Sequence, residues 1–401
     1  MRAMSLHTMR LATVLGLILA AVATSAQAEV ITRGGVTVYK ADQASTSAST
    51  SKIDFLNAKE FPLPQATESA SVAAHQDLMN NLANRYQLSA PTASGHAPGS
   101  MGDGQTHPVE LGAPAVAPQT MEQQGVEPQQ FGTTNHPFST AKADLNVPTN
   151  TRYPYRASGK LFFTIPGQGT FVCSASLIKR GLVVTAAHCV AKYGASQFYT
   201  GWVFVPGYRN GVAPYGSWAA SGAVVLTAYF AGAAGECSVA GVVCKDDVAV
   251  LELAPQTSPV FPGTSTGWYG YGFDNWGFTS SLLTHITQTG YPVALNGGLF
   301  MMRNDSQGFK SSANSDNTII GSLMTGGSSG GPWLNNFGYK PAISGTTFGS
   351  FSNPNIVVGV TSWGYTSSLP KEMGASPFTK TNIVVLVNSA CGVPVTDARC
   401  L

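Results

Sequence analysis

The chain of 401 residues is long enough for one large or two small domains with accessory sequence, and for a sizeable core. It carries 22 Lys and Arg against 20 Asp and Glu, and only 10% of it is charged; no field of one sign exists to gather nucleic acid or anionic lipid, and neither is expected as a partner. The 44 glycines beside 43% hydrophobic residues suit short strands and tight turns better than long helices.

In chain order, Arg2 and Arg10 come first, ahead of an apolar run from Leu11 to Ala23 and the small residues of Ala26-Gln27-Ala28. That is the layout of a cleaved signal peptide over residues 1–28, with Glu29 as the mature start. A retained anchor is the alternative, but the run is shorter than the roughly 20 residues a spanning helix needs. The protein is therefore expected to be secreted, outside the cell or in a bacterial periplasm, and free of the membrane once the signal is cut. Residues 29–150 follow, rich in Ala, Ser, Thr, Gln, Pro and Gly and without sustained apolar periodicity. Such a stretch buries too little surface to offset ordering entropy, and is expected to be a propeptide or a disordered linker. A short helix is expected only over Ala73 to Tyr86, where Leu78, Leu82 and Tyr86 recur at helical spacing.

Composition changes near Tyr153, which sets a domain over residues 151–401. Apolar runs of strand length alternate there with Gly, Pro and Asn: Lys160 to Ile165, Phe171 to Ile178, Leu182 to Ala186, Trp202 to Val205, Ala223 to Leu226, Val248 to Leu253 and Ile356 to Ser362. Many short strands without helical patterns between them predict an all-β domain, as barrels or a sandwich. Asn382 to Asn388 suits a short C-terminal helix, although its Ile and Val content also allows a strand. All six cysteines lie in this domain. In an exported chain an even number reads as disulfides, and proximity favours Cys173–Cys189, Cys237–Cys244 and Cys391–Cys400.

Three local patterns carry chemistry. Leu182-Val183-Val184-Thr185-Ala186-Ala187-His188-Cys189 runs a buried strand into a histidine that a disulfide at the next residue would pin, as a general base requires. By itself this is also half of a metal site, but no further His or Cys stands at ligand spacing, so neither metal nor cofactor is expected. Asp246-Asp247 immediately precedes the apolar run Val248 to Leu253; an acid so placed is drawn inward and needs a hydrogen-bond partner such as a histidine N–H. Either aspartate has the chemistry, and Asp247 is favoured because it abuts the strand. Gly326-Gly327-Ser328-Ser329-Gly330-Gly331-Pro332 surrounds a serine with residues lacking side chains, which lets the amides of Gly327 and Ser329 converge on a developing oxyanion. Alone, such a loop is usually a flexible turn.

Together, His188 in Thr-Ala-Ala-His-Cys, Asp247 in Asp-Val-Ala-Val-Leu and Ser329 in Gly-Ser-Ser-Gly-Gly-Pro resemble the three signatures of the chymotrypsin/trypsin serine peptidase superfamily, in its order. Gly359-Val360-Thr361-Ser362-Trp363-Gly364 resembles a fourth, the strand that lines the primary pocket and binds substrate backbone. The likeness spans roughly Tyr153 to Cys391. It implies two six-stranded antiparallel β-barrels with the site between them, Ser329 as nucleophile, His188 as general base and Asp247 as the residue that orients the imidazole. It further implies that Ser362 contacts the aspartate and that Cys173–Cys189 is the disulfide beside the histidine. The expected function is hydrolysis of peptide bonds in protein or peptide substrates through an acyl-enzyme, by a monomer.

Two departures refine this. Ser328 stands where trypsin-type enzymes have the Asp that pairs with a newly freed amino terminus, so any propeptide must act by another route, such as occluding the cleft or assisting folding. This, with Tyr155-Arg156, Gly159-Lys160-Leu161 and Thr289-Gly290-Tyr291-Pro292, resembles a bacterial branch that includes the glutamyl endopeptidases. Leu323 stands where trypsin has its specificity Asp, and Thr361 where glutamyl endopeptidases have a His. With Leu323, Met324, Thr361, Ser362, Trp363 and Gly364 around the pocket, an apolar or small residue is expected before the scissile bond. A catalytically inactive binding module of the same fold is the alternative, disfavoured by the complete set of three residues. An esterase of the α/β-hydrolase kind is contradicted by the order of the three. His285 reads as a surface or structural residue rather than a catalytic one, and Asp305 and Asp316 as members of a solvated loop rather than calcium ligands.

Overall fold

A computed structural model describes residues 28–41, 53–67, 73–74, 76–78, 80, 94–112, 130–131, 137–144, 148–256, 260–342, 350–365 and 371–401. The expected signal peptide, apart from Ala28, lies outside the described residues, as does most of the helix expected over 73–86; of the latter, residues 73–74, 76–78 and 80 are helical. Among the described residues no helix is long and apolar enough to cross a membrane.

Twelve strands form two closed barrels. The first comprises β1 (Ser158–Ile165), β2 (Gly169–Lys179), β3 (Leu182–Thr185), β4 (Thr200–Pro206), β5 (Trp218–Leu226) and β6 (Ala249–Leu253). They pair antiparallel in the spatial order β4-β1-β2-β3-β6-β5, and β5 returns to β4. The β4–β5 closure is short, at Val203–Phe204 and Trp218–Ala219, and leaves the rest of β5 with an edge open to another strand. Leu161, Phe163, Ala175, Leu177, Val183, Val224 and Val250 are buried in its core. The second barrel comprises β7 (Leu283–Gly290), β8 (Met302–Ser311), β9 (Asn317–Gly321), β10 (Pro332–Asn335), β11 (Ile356–Tyr365) and β12 (Glu372–Pro377). It closes in the order β7-β10-β11-β12-β9-β8. Its core holds Ile286, Met302, Ile320, Met324, Trp333, Ile356 and Met373.

The C-terminal segment resolves to a helix, α1 (Ile383–Cys391), which starts where the Asn382 side chain accepts the Ile383 N–H. Its Ile383, Leu386 and Val387 face the first barrel's core. The disulfides are Cys173–Cys189, Cys237–Cys244 and Cys391–Cys400. The last of these closes a tail whose Arg399 Nη1 lies 2.8 Å from Glu252 Oε2 on β6.

Described parts of residues 29–150 are ordered by pairing with the barrels, although their composition lacks the apolar periodicity of a folded segment. Val36–Lys40 adds to β5 over Gly222–Leu226, with Val36 and Val38 buried, and Glu29–Arg33 folds back on it as a hairpin. Gly95–Ala97 pairs with Tyr271–Phe273, and Pro137–Lys142 pairs with β8. These strands are two to six residues long, too short to show a period, and barrel edges far along the chain supply their partners. The hairpin is also locked by charge. Lys40 Nζ lies 2.7 Å from Glu252 Oε2, so two cations share one buried carboxylate. Replacing both (Lys40→Met with Arg399→Met) leaves Glu252 buried and unpaired and is expected to lower stability by about 3–5 kcal/mol. A urea midpoint shift, with the single variants losing less, is the measurement.

Candidate active site

The register of the first barrel brings the histidine and the aspartate together. β3 pairs with β6 so that Thr185 stands opposite Ala249. Three residues beyond Thr185, and two before Ala249, lie His188 and Asp247. His188 occupies a one-turn 3-10 helix, Ala187–Cys189, pinned to β2 through Cys189–Cys173. Its Nδ1 is 2.7 Å from Asp247 Oδ2, and its backbone N–H donates to Asp247 Oδ1 at 2.8 Å. Ser362 on β11 donates to the same Oδ2 at 2.6 Å. Three hydrogen bonds thus compensate a carboxylate that is almost wholly buried. Asp246 turns the other way, towards Asn382 Nδ2 at 3.2 Å, and its backbone N–H donates to Glu236 Oε1. Burial raises the carboxyls of both Asp246 and Glu236, the latter to about 8, with the Asp246 charge a lesser cause for Glu236. The sulfurs near His188 are tied up as a disulfide, which removes them as metal ligands.

Across the cleft, the loop before β10 carries Ser329. Ser328 N–H and Ser328 Oγ both donate to Thr325 O, Gly331 N–H donates to Ser328 O, and Gly330 N–H donates to Thr361 O. Among the described residues the amides of Gly327 and Ser329 have no acceptor. Gly327 has φ +85°, and a Cβ there would stand 2.6 Å from Tyr291 O, so only glycine fits. The loop is bolted to both barrels: Ser174 N–H on β2 donates to Ser329 O at 2.7 Å, and Thr361 N–H on β11 donates to Gly331 O at 2.9 Å. The Ser329 Oγ and His188 Nε2 are buried and without a hydrogen-bond partner among the described residues.

Several supporting residues escaped the sequence reading. Ser174 accepts from Tyr291 N–H at 2.9 Å and donates to Gly327 O at 2.8 Å, fixing the orientation of the Gly327–Ser328 peptide. Val293 N–H donates to Gly326 O. Lys160, fully enclosed, donates from Nζ to Gly298 O at 2.9 Å and lies 4.8 Å from the Tyr208 ring centroid. In this way it clamps the 291–298 loop that underlies Gly327. Burial lowers the Lys160 ammonium to about 7. The unfolded chain, with its ordinary pKa near 10.4, therefore binds more protons between about pH 7 and 10, and this lysine's contribution to stability rises with pH across that window. Lys160→Met is expected to remove the slope. Urea denaturation at pH 6 and pH 9.5 should show the variant gaining on the parent at pH 6 and losing that gain at pH 9.5.

Of the residues expected to line the pocket, Met324 is buried within the second barrel's core and Leu323 is half-buried beside it. Thr361 Oγ1 accepts from Gln288 Nε2 and Trp333 Nε1, each at 2.9 Å, and Trp363 Nε1 donates to Asn317 Oδ1. Gln288 in turn accepts from Ser322 Oγ at 2.8 Å. The one sequence signal for Gln288 is a polar residue on the face of β7 shared with Ile286. His285 is exposed, and Asp305 is engaged by Arg303 and Thr287.

Two closed antiparallel barrels, with a disulfide-pinned histidine bonded to a buried aspartate and a Gly-Ser-Ser-Gly loop facing them, define the two-barrel serine peptidases. The Trypsin family model matches residues 147–385, and the chain belongs to that family of serine-type endopeptidases. No curated protein matches the chain. Among solved structures it is similar to the thermostable serine protease AL20 from an extremophilic microorganism, at 27% identity over 56% of this chain and 92% of that one, TM-score 0.44. It is also similar to the protease Anisep from Arthrobacter nicotinovorans, at 27% identity over 59% and 95%, TM-score 0.45. A Glu endopeptidase matches at 20% identity over 63% and 95%, TM-score 0.43.

Proposed function

We propose that the protein is a secreted endopeptidase, made with an N-terminal signal and a propeptide, that cuts peptide bonds through Ser329, His188 and Asp247. Ser329 Oγ attacks the scissile carbonyl while His188 Nε2 takes its proton. The imidazolium so formed keeps Nδ1–H on Asp247, and the oxyanion is received by the Gly327 and Ser329 amides. His188 then protonates the leaving amine. A water molecule, deprotonated by the same Nε2, releases the acyl group. The observation that carries this reading is the grip of Asp247 on His188 at both the backbone N–H and Nδ1, which leaves Nε2 as the imidazole's working atom.

Processing is expected between about residues 145 and 156, where composition changes from the N-terminal region to the barrels. The test is a fluorophosphonate probe on the secreted, processed chain separated from its cleaved leading piece: modification of Ser329 supports an active nucleophile, and an unmodified Ser329 in that folded protein argues for an inactive binding module. The residue preferred before the scissile bond is expected to be apolar or small. The support is Leu323 and Met324, which offer no counter-charge to a buried ion. A peptide library cut mainly after Arg, Lys or Glu would overturn that preference and leave the mechanism standing.

A further inference from the structure

Resting on that reading, we infer that Lys59–Ala66 is a built-in inhibitor that fills the cleft in the direction opposite to a substrate, and so blocks the enzyme without being cut by it. The segment enters beside β2, where Lys59 and Glu60 pair parallel with Phe171 and Val172 and the Phe61 N–H donates to Val172 O at 3.3 Å. It leaves beside β11, where Gly364 N–H donates to Pro64 O at 2.9 Å and Gln65 and Ala66 pair parallel with Gly364 and Tyr365. Between these anchors it covers the reacting groups. The Phe61 ring stacks on the His188 imidazole, 5.8 Å between centroids and 16° from parallel. The Glu60 carboxylate lies over Gly326, where a Cβ would overlap it, and a Cβ at Gly364 would be 2.8 Å from Leu63 Cδ2. Leu63 packs against the second barrel's core. Under this cover Ser329 is 0% and His188 5% exposed.

Direction decides the outcome. On the proposed reading a substrate's acyl side lies along Thr361–Gly364, and its leaving side must lie towards His188, which the Cys173–Cys189 disulfide ties to β2, so its chain would run from β11 to β2. Lys59–Ala66 runs from β2 to β11. Any carbonyl of a reversed chain that reached Ser329 Oγ would have its leaving nitrogen on the β11 side, away from the His188 Nε2 that must protonate it. Phe61-Pro62 and Leu63-Pro64 add two tertiary amides with no N–H, and the prolines hold φ near the extended value, which lowers the ordering entropy of docking. Two short runs of backbone pairing with apolar side chains between them are how an extended peptide is held at a sheet edge.

The experiment follows fluorophosphonate labelling of the full-length chain on a gel, beside the processed chain separated from its cleaved leading piece, together with mass spectrometry of every new chain end. Wild-type full-length protein is expected to label at least ~100-fold more slowly than the processed form, a factor that leaves about 1% of sites open at any moment. Phe61→Ala with Leu63→Ala should label as full-length protein at a rate near that of the processed form, and Phe61→Ala alone at an intermediate rate. No end dependent on Ser329 should fall between residues 59 and 66. Equal labelling of full-length and processed wild type would overturn the inference and leave the proposed function intact. A Ser329-dependent cut within 59–66 would overturn the reversed direction. Absence of labelling in the processed form as well would overturn the proposed function, and this inference with it.

Discussion

Ser329→Ala is expected to reduce peptide hydrolysis by the processed enzyme about 10⁶-fold in kcat, with KM little changed. The loss should be that large because no neighbouring hydroxyl is placed to substitute. The Ser328 Oγ is held by Thr325 O, and the Ser174 Oγ lies between Tyr291 N and Gly327 O. What survives, about 10³-fold over water, would come from the oxyanion amides and substrate positioning. Steady-state kinetics on a chromogenic peptide give the ratio, and equal rates for parent and variant would sink the assignment of the nucleophile.

Asp247→Asn is expected to lower kcat about 10⁴-fold at neutral pH without unfolding the protein. The carboxylate accepts at both oxygens: Oδ1 takes the His188 backbone N–H, and Oδ2 takes the Ser362 hydroxyl and lies against Nδ1. An amide keeps one accepting oxygen and replaces the other with an NH₂ that can only donate. With its NH₂ towards Nδ1 it would force that nitrogen to accept, move the imidazole proton to Nε2 and leave nothing to receive the Ser329 proton. With its NH₂ towards the His188 N–H, two donors would collide and the histidine turn would lose its anchor. Activity with an unchanged thermal midpoint separates the first outcome from the second. Asp246→Asn should change activity far less, since that side chain faces Asn382.

The first barrel was legible because each of its strands contains an apolar run, and His188 and Asp247 sit at the ends of two such runs; in the second barrel only β11 reads that way, while β7 and β8 are largely polar and take their form from the strands they pair with. The choice between Asp246 and Asp247 was not a matter of chemistry. It is made by the β3–β6 register, which a sequence expresses only as two apolar strands of matching length. Lys160 opens one of the runs from which β1 was predicted, and nothing local reveals that its Nζ reaches Gly298 O, since the 291–298 loop arrives from the other barrel. Phe61-Pro62-Leu63-Pro64 reads as linker for a like reason. Prolines forbid a regular strand, and the backbone donors and acceptors that hold this piece belong to Val172 and Gly364.

If the chain is cut near residue 150, as proposed, the Glu29–Lys40 hairpin would give maturation a second stage. It is woven onto β5 and fastened to Glu252 by Lys40, so a single cut near residue 150 severs the covalent tether and leaves the leading piece seated. The product is then a two-chain complex governed by a dissociation constant. Dilution, or further trimming of the freed piece, would decide when the enzyme begins to work, and an undiluted pool would stay quiescent at the point of secretion.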